Sequence, residues 1–128
     1  MWEGIKHFKF EDEDMIIKLT GRYLLDSPYL LKLAEDHPEV DAIAKPFADG
    51  VKVFTGCFAM KCKHFKEMLS QLDYEEMEEY LIDIEEEVAT YLKKLEMRGG
   101  NVVYVDHMDV TAYVAGGGVG GDPTLTRW

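Results

Sequence analysis

Hydrophobic positions along this chain follow two periods, one of helices and one of short buried runs. Leu30, Leu33 and Ala34 share one helical face, and Ser27-Pro28 in front of them offers a side chain able to accept from an orphan N–H and a proline suited to the first helical position. Pro38 stops that helix. Phe65, Met68, Leu69 and Leu72 keep helical spacing through a second stretch that ends near Asp73. Asp73 and Glu76 then form a D-x-x-E pair of the capping-box kind. Behind it Met77, Tyr80, Leu81, Ile84, Val88, Tyr91, Leu92 and Leu95 fall on one side, which predicts one long amphipathic helix over about 74–98. At roughly 1.5–3 kcal/mol for each fully buried large side chain, those eight would supply on the order of 10–20 kcal/mol as an upper bound. Gly99-Gly100 offers the left-handed cap, with Lys93, Lys94 and Arg98 near the negative end of the helix dipole.

The remaining apolar runs read as strands. Met15-Ile16-Ile17-Lys18-Leu19 follows the acidic Glu11-Asp12-Glu13-Asp14 and ends at Gly21, as a short buried strand would. Residues 40–44 and 51–60 read as two extended segments around the turn Ala48-Asp49-Gly50, an antiparallel hairpin, and 101–105 as a further strand. Residues 1–10 show no clean period and are read as weakly helical or a short edge segment, so 1–14 forms a variable lead-in. From residue 115 onward five glycines raise the entropic cost of regular structure, which predicts a flexible tail over 115–128. The expected fold is a single α/β domain with a mixed sheet flanked by helices, and no internal repeat is present.

Composition narrows the classes of partner. The chain has 128 residues, 47% of them hydrophobic, and a formal charge of −11 concentrated between Asp73 and Glu96. A phosphate backbone would be repelled, and no basic patch interleaved with aromatics exists to release counterions or stack bases, so nucleic acid is set aside as a partner. Cys57 and Cys62 are spaced as C-x4-C, which fits neither a CxxC redox motif nor a four-ligand zinc site, and buried free thiols are expected. No apolar stretch has the length of a transmembrane helix or the form of a signal peptide, and the expected location is the cytoplasm.

The order of acidic residues, Met15 to Tyr23, a short loop, then Ser27-Pro28 and a helix resembles a segment of GT-A-type glycosyltransferases of the polysaccharide or capsule kind. Such proteins carry a K-[LI]-[TS]-G-R-Y segment in place of Asp-x-Asp, and Lys18-Leu19-Thr20-Gly21-Arg22-Tyr23 is similar to it. Asp41-Ala42-Ile43 and Phe54 to Met60 resemble the acceptor-side strands, and Ile84-Glu85 and Val114 to Gly118 stand in the expected order. The resemblance covers roughly residues 12–118. It implies a partial GT-A-like sheet and transfer of a sugar from a nucleotide-sugar donor to a glycan or lipid-linked acceptor. The strand-helix units that bind base and ribose in that family are not in this sequence, and no Asp-x-Asp stands where it would chelate a divalent metal. The cofactor is therefore left unassigned, with a divalent metal open. The alternative is a non-catalytic interaction module completed by a partner chain, either a second copy or a separate nucleotide-binding chain.

On that resemblance Lys18 and Arg22 would hold the donor phosphates, one as a compact charge and the other as a planar fork of donors, while Tyr23 stacks on a sugar or base. Thr20, Gly21, Thr55 and Gly56 complete the substrate-binding set, glycine permitting close approach in a strand. Glu85 is the general-base candidate. Against this stand plainer roles: Arg22 pairing with a surface carboxylate, Lys18 snorkelling, Tyr23 filling the core, a bulge at Thr55-Gly56, and Glu85 on a solvated acidic face. Asp106, His107 and Asp109 are read as a hydrogen-bonded loop rather than a cation site.

Overall fold

The computed structural model describes residues 10–21, 23–114 and 124–128. Two sheets and four helices make up these residues, a mixed α/β architecture. The first sheet has the order β1-β4-β3-β5, with β1 Met15–Leu19, β4 Cys57–Lys61, β3 Ala42–Ala44 and β5 Val102–Tyr104. β4 is antiparallel to both β1 and β3, while β3 and β5 run parallel. The second sheet is antiparallel, β2 Leu24–Leu25, β6 Val110–Val114 and β7 Thr124–Arg127 in the order β2-β6-β7. The helices are α1 Tyr29–Asp36, α2 Cys62–Gln71, α3 Tyr74–Glu79 and α4 Ile84–Met97.

The unbroken apolar runs of β3 and β4 follow from burial on both faces of the first sheet. Ala42, Ala44, Phe58 and Met60 pack with Phe65 and Met68 of α2 and Val88, Leu92 and Leu95 of α4. Residues of opposite parity, Ile43, Cys57 and Ala59, meet Leu30 of α1 and Val110 and Ala112 of the second sheet. A strand covered on both sides has no polar face to alternate with, which is why periodicity alone leaves it undistinguished from a helix segment. The expected hairpin is present in this β3-β4 pairing, extended by a bridge between Pro46 and Val53 and turned at Gly50, where φ is 70°.

The helix expected over 74–98 is two helices. Asp73 caps α3 by accepting from the Glu76 N–H (3.0 Å), as its D-x-x-E spacing predicts. Ten residues later Asp83 and Glu86 repeat the same spacing, and the Asp83 carboxylate accepts from the Glu86 N–H (3.0 Å) to start α4. Between them Leu81 takes φ 55° and ends α3. Of the eight apolar residues assigned to one face, Val88, Tyr91, Leu92 and Leu95 are buried, whereas Tyr80 and Leu81 are exposed. The packing term for that face accordingly falls to about 6–12 kcal/mol as an upper bound. α4 closes as expected: Gly99 has φ 91°, its N–H donates to Glu96 O (3.0 Å), and the Gly100 N–H donates to Leu95 O (2.8 Å), the paired bonds of a Schellman ending.

The end of the chain departs from the flexible tail expected there. Thr124–Arg127 pairs along β6, and Trp128 exchanges backbone bonds with Val110 (2.9 and 3.3 Å). The glycines from 116 to 121, and the lead-in over 1–9, lie outside the described residues. Among the described residues no helix is long and apolar enough to cross a membrane.

Candidate functional site

The carboxyl end of β1, the amino end of β4 and the first turn of α4 meet at one edge of the larger sheet. Beyond Leu19 the Thr20 N–H donates to Gly56 O (2.9 Å), and Thr20 O accepts from the Tyr23 N–H (2.9 Å), so the chain turns over the start of β4. That turn lays Tyr23 edge-on against Phe54 (centroids 5.3 Å apart, 78°) and Trp128 (5.1 Å, 73°), while Phe54 and Trp128 stack at 4.9 Å and 8°. Gly56 is what permits the turn to sit so close: a Cβ there would lie 2.7 Å from Phe54 Cε1 and 2.8 Å from Tyr23 Cζ.

A cavity of about 160 Å³ opens at this junction, and Thr20, Tyr23, Thr55, Gly56 and Glu85 all line it. Three segments far apart in sequence thus deliver five of the expected site residues to one place. Glu85 projects from the first turn of α4 and its Oε1 accepts from Thr55 Oγ1 (3.1 Å), so it is half-buried rather than on the solvated acidic face. Its carbonyl accepts from the Val53 N–H (3.3 Å), which ties α4 to the segment leading into β4.

Lys18 is half-buried behind this wall. Its ammonium donates to Thr20 Oγ1 (2.6 Å) and to the Thr55 carbonyl, and stands 5.8 Å from the centre of the Phe58 ring. Burial holds the Lys18 ammonium below the usual lysine range, with Cys57 and the Glu85 carboxylate working in the opposite direction. Burial pushes the Cys57 thiol up to about 11, against the pull of Lys18, so Cys57 is a protonated core thiol. Lys18 therefore fixes the two threonines and balances Glu85 instead of projecting into open space. Gly21 is exposed and does not line the cavity, and Arg22 lies outside the described residues.

Phe47, Phe54 and Trp128 complete the lining without having been singled out in the sequence. Trp128 closes a short run, Thr124-Leu125-Thr126-Arg127-Trp128, in which Thr and Trp favour extended backbone, a signal outweighed by the glycines before it. Phe47 and Phe54 flank the hairpin turn, where periodicity carries no information. Tyr23 is both buried in the core and part of the cavity wall.

A larger hollow of about 380 Å³ lies between Pro46, Val53, Ala89 and Tyr104, but none of its lining residues belongs to the set drawn from the sequence, and its surface is mostly apolar. His107 Nδ1 is 3.0 Å from Asp109 Oδ1 in an exposed loop, and among the described residues no three His, Cys, Asp or Glu side chains converge as a metal site. Comparison with protein-family models, with curated proteins and with solved structures finds no match to this chain.

Proposed function

We propose that this chain is a glycosyltransferase-like domain that holds one sugar unit at the Thr20–Thr55–Glu85 cavity and transfers it, or helps transfer it, from a nucleotide-sugar donor to a glycan or lipid-linked acceptor. The observation that carries this reading is the convergence of Thr20 and Tyr23, Thr55 and Gly56, and Glu85 on one cavity walled by Tyr23, Phe54 and Trp128. Aromatic faces suit the apolar C–H faces of a pyranose, and hydroxyl and carboxylate groups beside them suit its hydroxyls. Glu85 takes the proton of the attacking acceptor hydroxyl as the bond from the anomeric carbon to the diphosphate breaks. Lys18 keeps Thr20 and Thr55 in register and offsets the Glu85 charge; Arg22, next to Tyr23 in sequence, supplies the guanidinium for the departing diphosphate.

A cavity of about 160 Å³ is smaller than the roughly 300–1,000 Å³ of pockets that enclose a drug-sized ligand. It fits a single ring better than a whole nucleotide sugar. The nucleotide would then be held by groups beyond the cavity, on this chain or on a partner, which favours the helping role. Thermal unfolding with UDP-, GDP- and CDP-sugars tests the reading. One donor should raise the melting temperature of wild type, by the equivalent of about 2.7 kcal/mol at a hundredfold excess over Kd, and not that of Arg22→Ala. Glu85→Gln should retain the shift and lose transfer to an added acceptor. No shift with any donor sinks the proposal for the isolated chain.

A further inference from the structure

Leu81 occupies a position that helix endings ordinarily give to glycine. At the end of α3 the Ile82 N–H donates to Met77 O (2.8 Å) and the Leu81 N–H to Glu78 O (3.4 Å), and Leu81 between them takes φ 55°. A leucine in the left-handed region carries a steric penalty that glycine escapes. Burial does not offset it, because Leu81 is 89% exposed. Tyr74, Tyr80 and Ile84 on either side are exposed as well. Single exposed apolar residues need no explanation, but four large ones within 74–84 form a display.

Two further features indicate what the display would meet. An apolar hollow of about 170 Å³ shares Tyr74 and Ile84 with this display and is lined also by Phe58, Phe65, Met68 and Leu72. Around it, residues 73–87 contain nine Asp and Glu and no Lys or Arg; Asp83 is paired with Lys52 (2.6 Å) and Glu85 faces the candidate cavity, which leaves seven for a partner. A second copy of this tip would bring the same charge and be repelled, and so would an anionic lipid surface. We infer that the α3–α4 tip is a docking site for a partner protein's basic amphipathic helix, its apolar face on Leu81 and the hollow and its Lys or Arg residues against the surrounding carboxylates. Lys18 and Thr55 also line this hollow, and Thr55 lines the candidate cavity as well. The inference stands independently of any sugar chemistry.

The test uses the full chain and a fluorescein-labelled peptide with leucines at i, i+3, i+4 and i+7 and lysines elsewhere, followed by fluorescence anisotropy. Saturable binding is expected, weakened about tenfold or more by Leu81→Gly, as for loss of one anchor. Because glycine suits φ 55°, Leu81→Gly should unfold no earlier than wild type, so lost binding cannot be lost folding. Tyr80→Ser, at an exposed position, gives a second reading of the same surface. Met97→Ser should leave binding unchanged, since Met97 is 87% exposed but lies beside Lys94 and Arg98. The inference is overturned if wild type does not bind, if Leu81→Gly and Tyr80→Ser bind as wild type does, or if a peptide with serine in place of every leucine binds equally well. It is also overturned if the tip partitions onto phosphatidylcholine vesicles in preference to the peptide, or if sedimentation shows a dimer that Leu81→Gly dissolves.

Discussion

One methyl group added at Gly56 should close the candidate cavity and weaken the fold together. The backbone does not resist Gly56→Ala, since Gly56 lies outside the left-handed region, so the effect is one of space. The new Cβ would stand 2.7 Å from Phe54 Cε1 and 2.8 Å from Tyr23 Cζ, well inside the roughly 3.5–4.0 Å optimum between carbons. Neither ring can step aside freely: both are buried, and Phe54 is stacked on Trp128 while Tyr23 meets both edge-on. Overpacking of this kind costs about 1–3 kcal/mol, from which about 0.4–1 kcal/mol is recovered through the stiffer unfolded chain, leaving a net loss of about 0.6–2 kcal/mol. Urea denaturation should show a lower midpoint with an unchanged slope. Phe54→Leu, destabilising alone, should cost less when combined with Gly56→Ala, because the shared clash is what couples the two sites. A Gly56→Ala protein as stable as wild type would refute the packing argument and with it the claim that glycine shapes this cavity.

The two helix endings make opposite predictions at equivalent positions. Gly99→Ala, at φ 91°, should cost about 1–2 kcal/mol, whereas Leu81→Gly, at φ 55°, should raise stability by up to about 1 kcal/mol after the added entropy of the unfolded chain; thermal unfolding reads both. Asp41 governs part of the acid limb. Burial alone would raise its carboxyl, but the Asn101 N–H (2.8 Å), His64 (3.1 Å) and Lys61 (3.6 Å) together hold it below the usual range. Its folded pKa is thus depressed, so its contribution is fully present above the unfolded value of about 3.9 and disappears as pH falls through the folded one. Asp41→Asn should lower stability at neutral pH and flatten its dependence below about pH 4, measured by denaturation across pH; an unchanged acid limb would contradict this assignment.

Elements set by local chemistry were legible, and those set by competition between neighbours were not. The β1 run, the hairpin and the Gly99-Gly100 ending each rest on residues whose preferences agree with one another. α1 starts one residue later than Ser27-Pro28 predicts, with Pro28 at the N-cap instead of the first helical position and Ser27 Oγ accepting from the Tyr29 N–H (3.2 Å). The break between α3 and α4 was hidden because Tyr80, Leu81 and Ile84 continue the apolar periodicity across it. The second D-x-x-E pair at Asp83 and Glu86 outweighs that pattern by supplying a new N-cap. β7 was hidden by the glycines before it, since backbone entropy is a local cost whereas its pairing with β6 is a long-range gain. At the candidate site, Thr20, Tyr23, Thr55, Gly56 and Glu85 line one cavity. The inward turn of Lys18 and the arrival of Trp128 depend on how β1, β4 and β7 end in space, which no spacing along the chain encodes.

Trp128 offers the most direct test of whether this cavity receives a sugar. Replacing the other tryptophan by Trp2→Phe leaves the Trp128 indole N–H as a single resonance in a nitrogen-correlated spectrum. Titration with nucleotide sugars should shift that resonance in a saturable manner for at least one donor, and Thr20→Val should weaken the response. An indole resonance that no nucleotide sugar or free sugar moves, or shifts confined to the neighbourhood of Tyr104, would contradict the account.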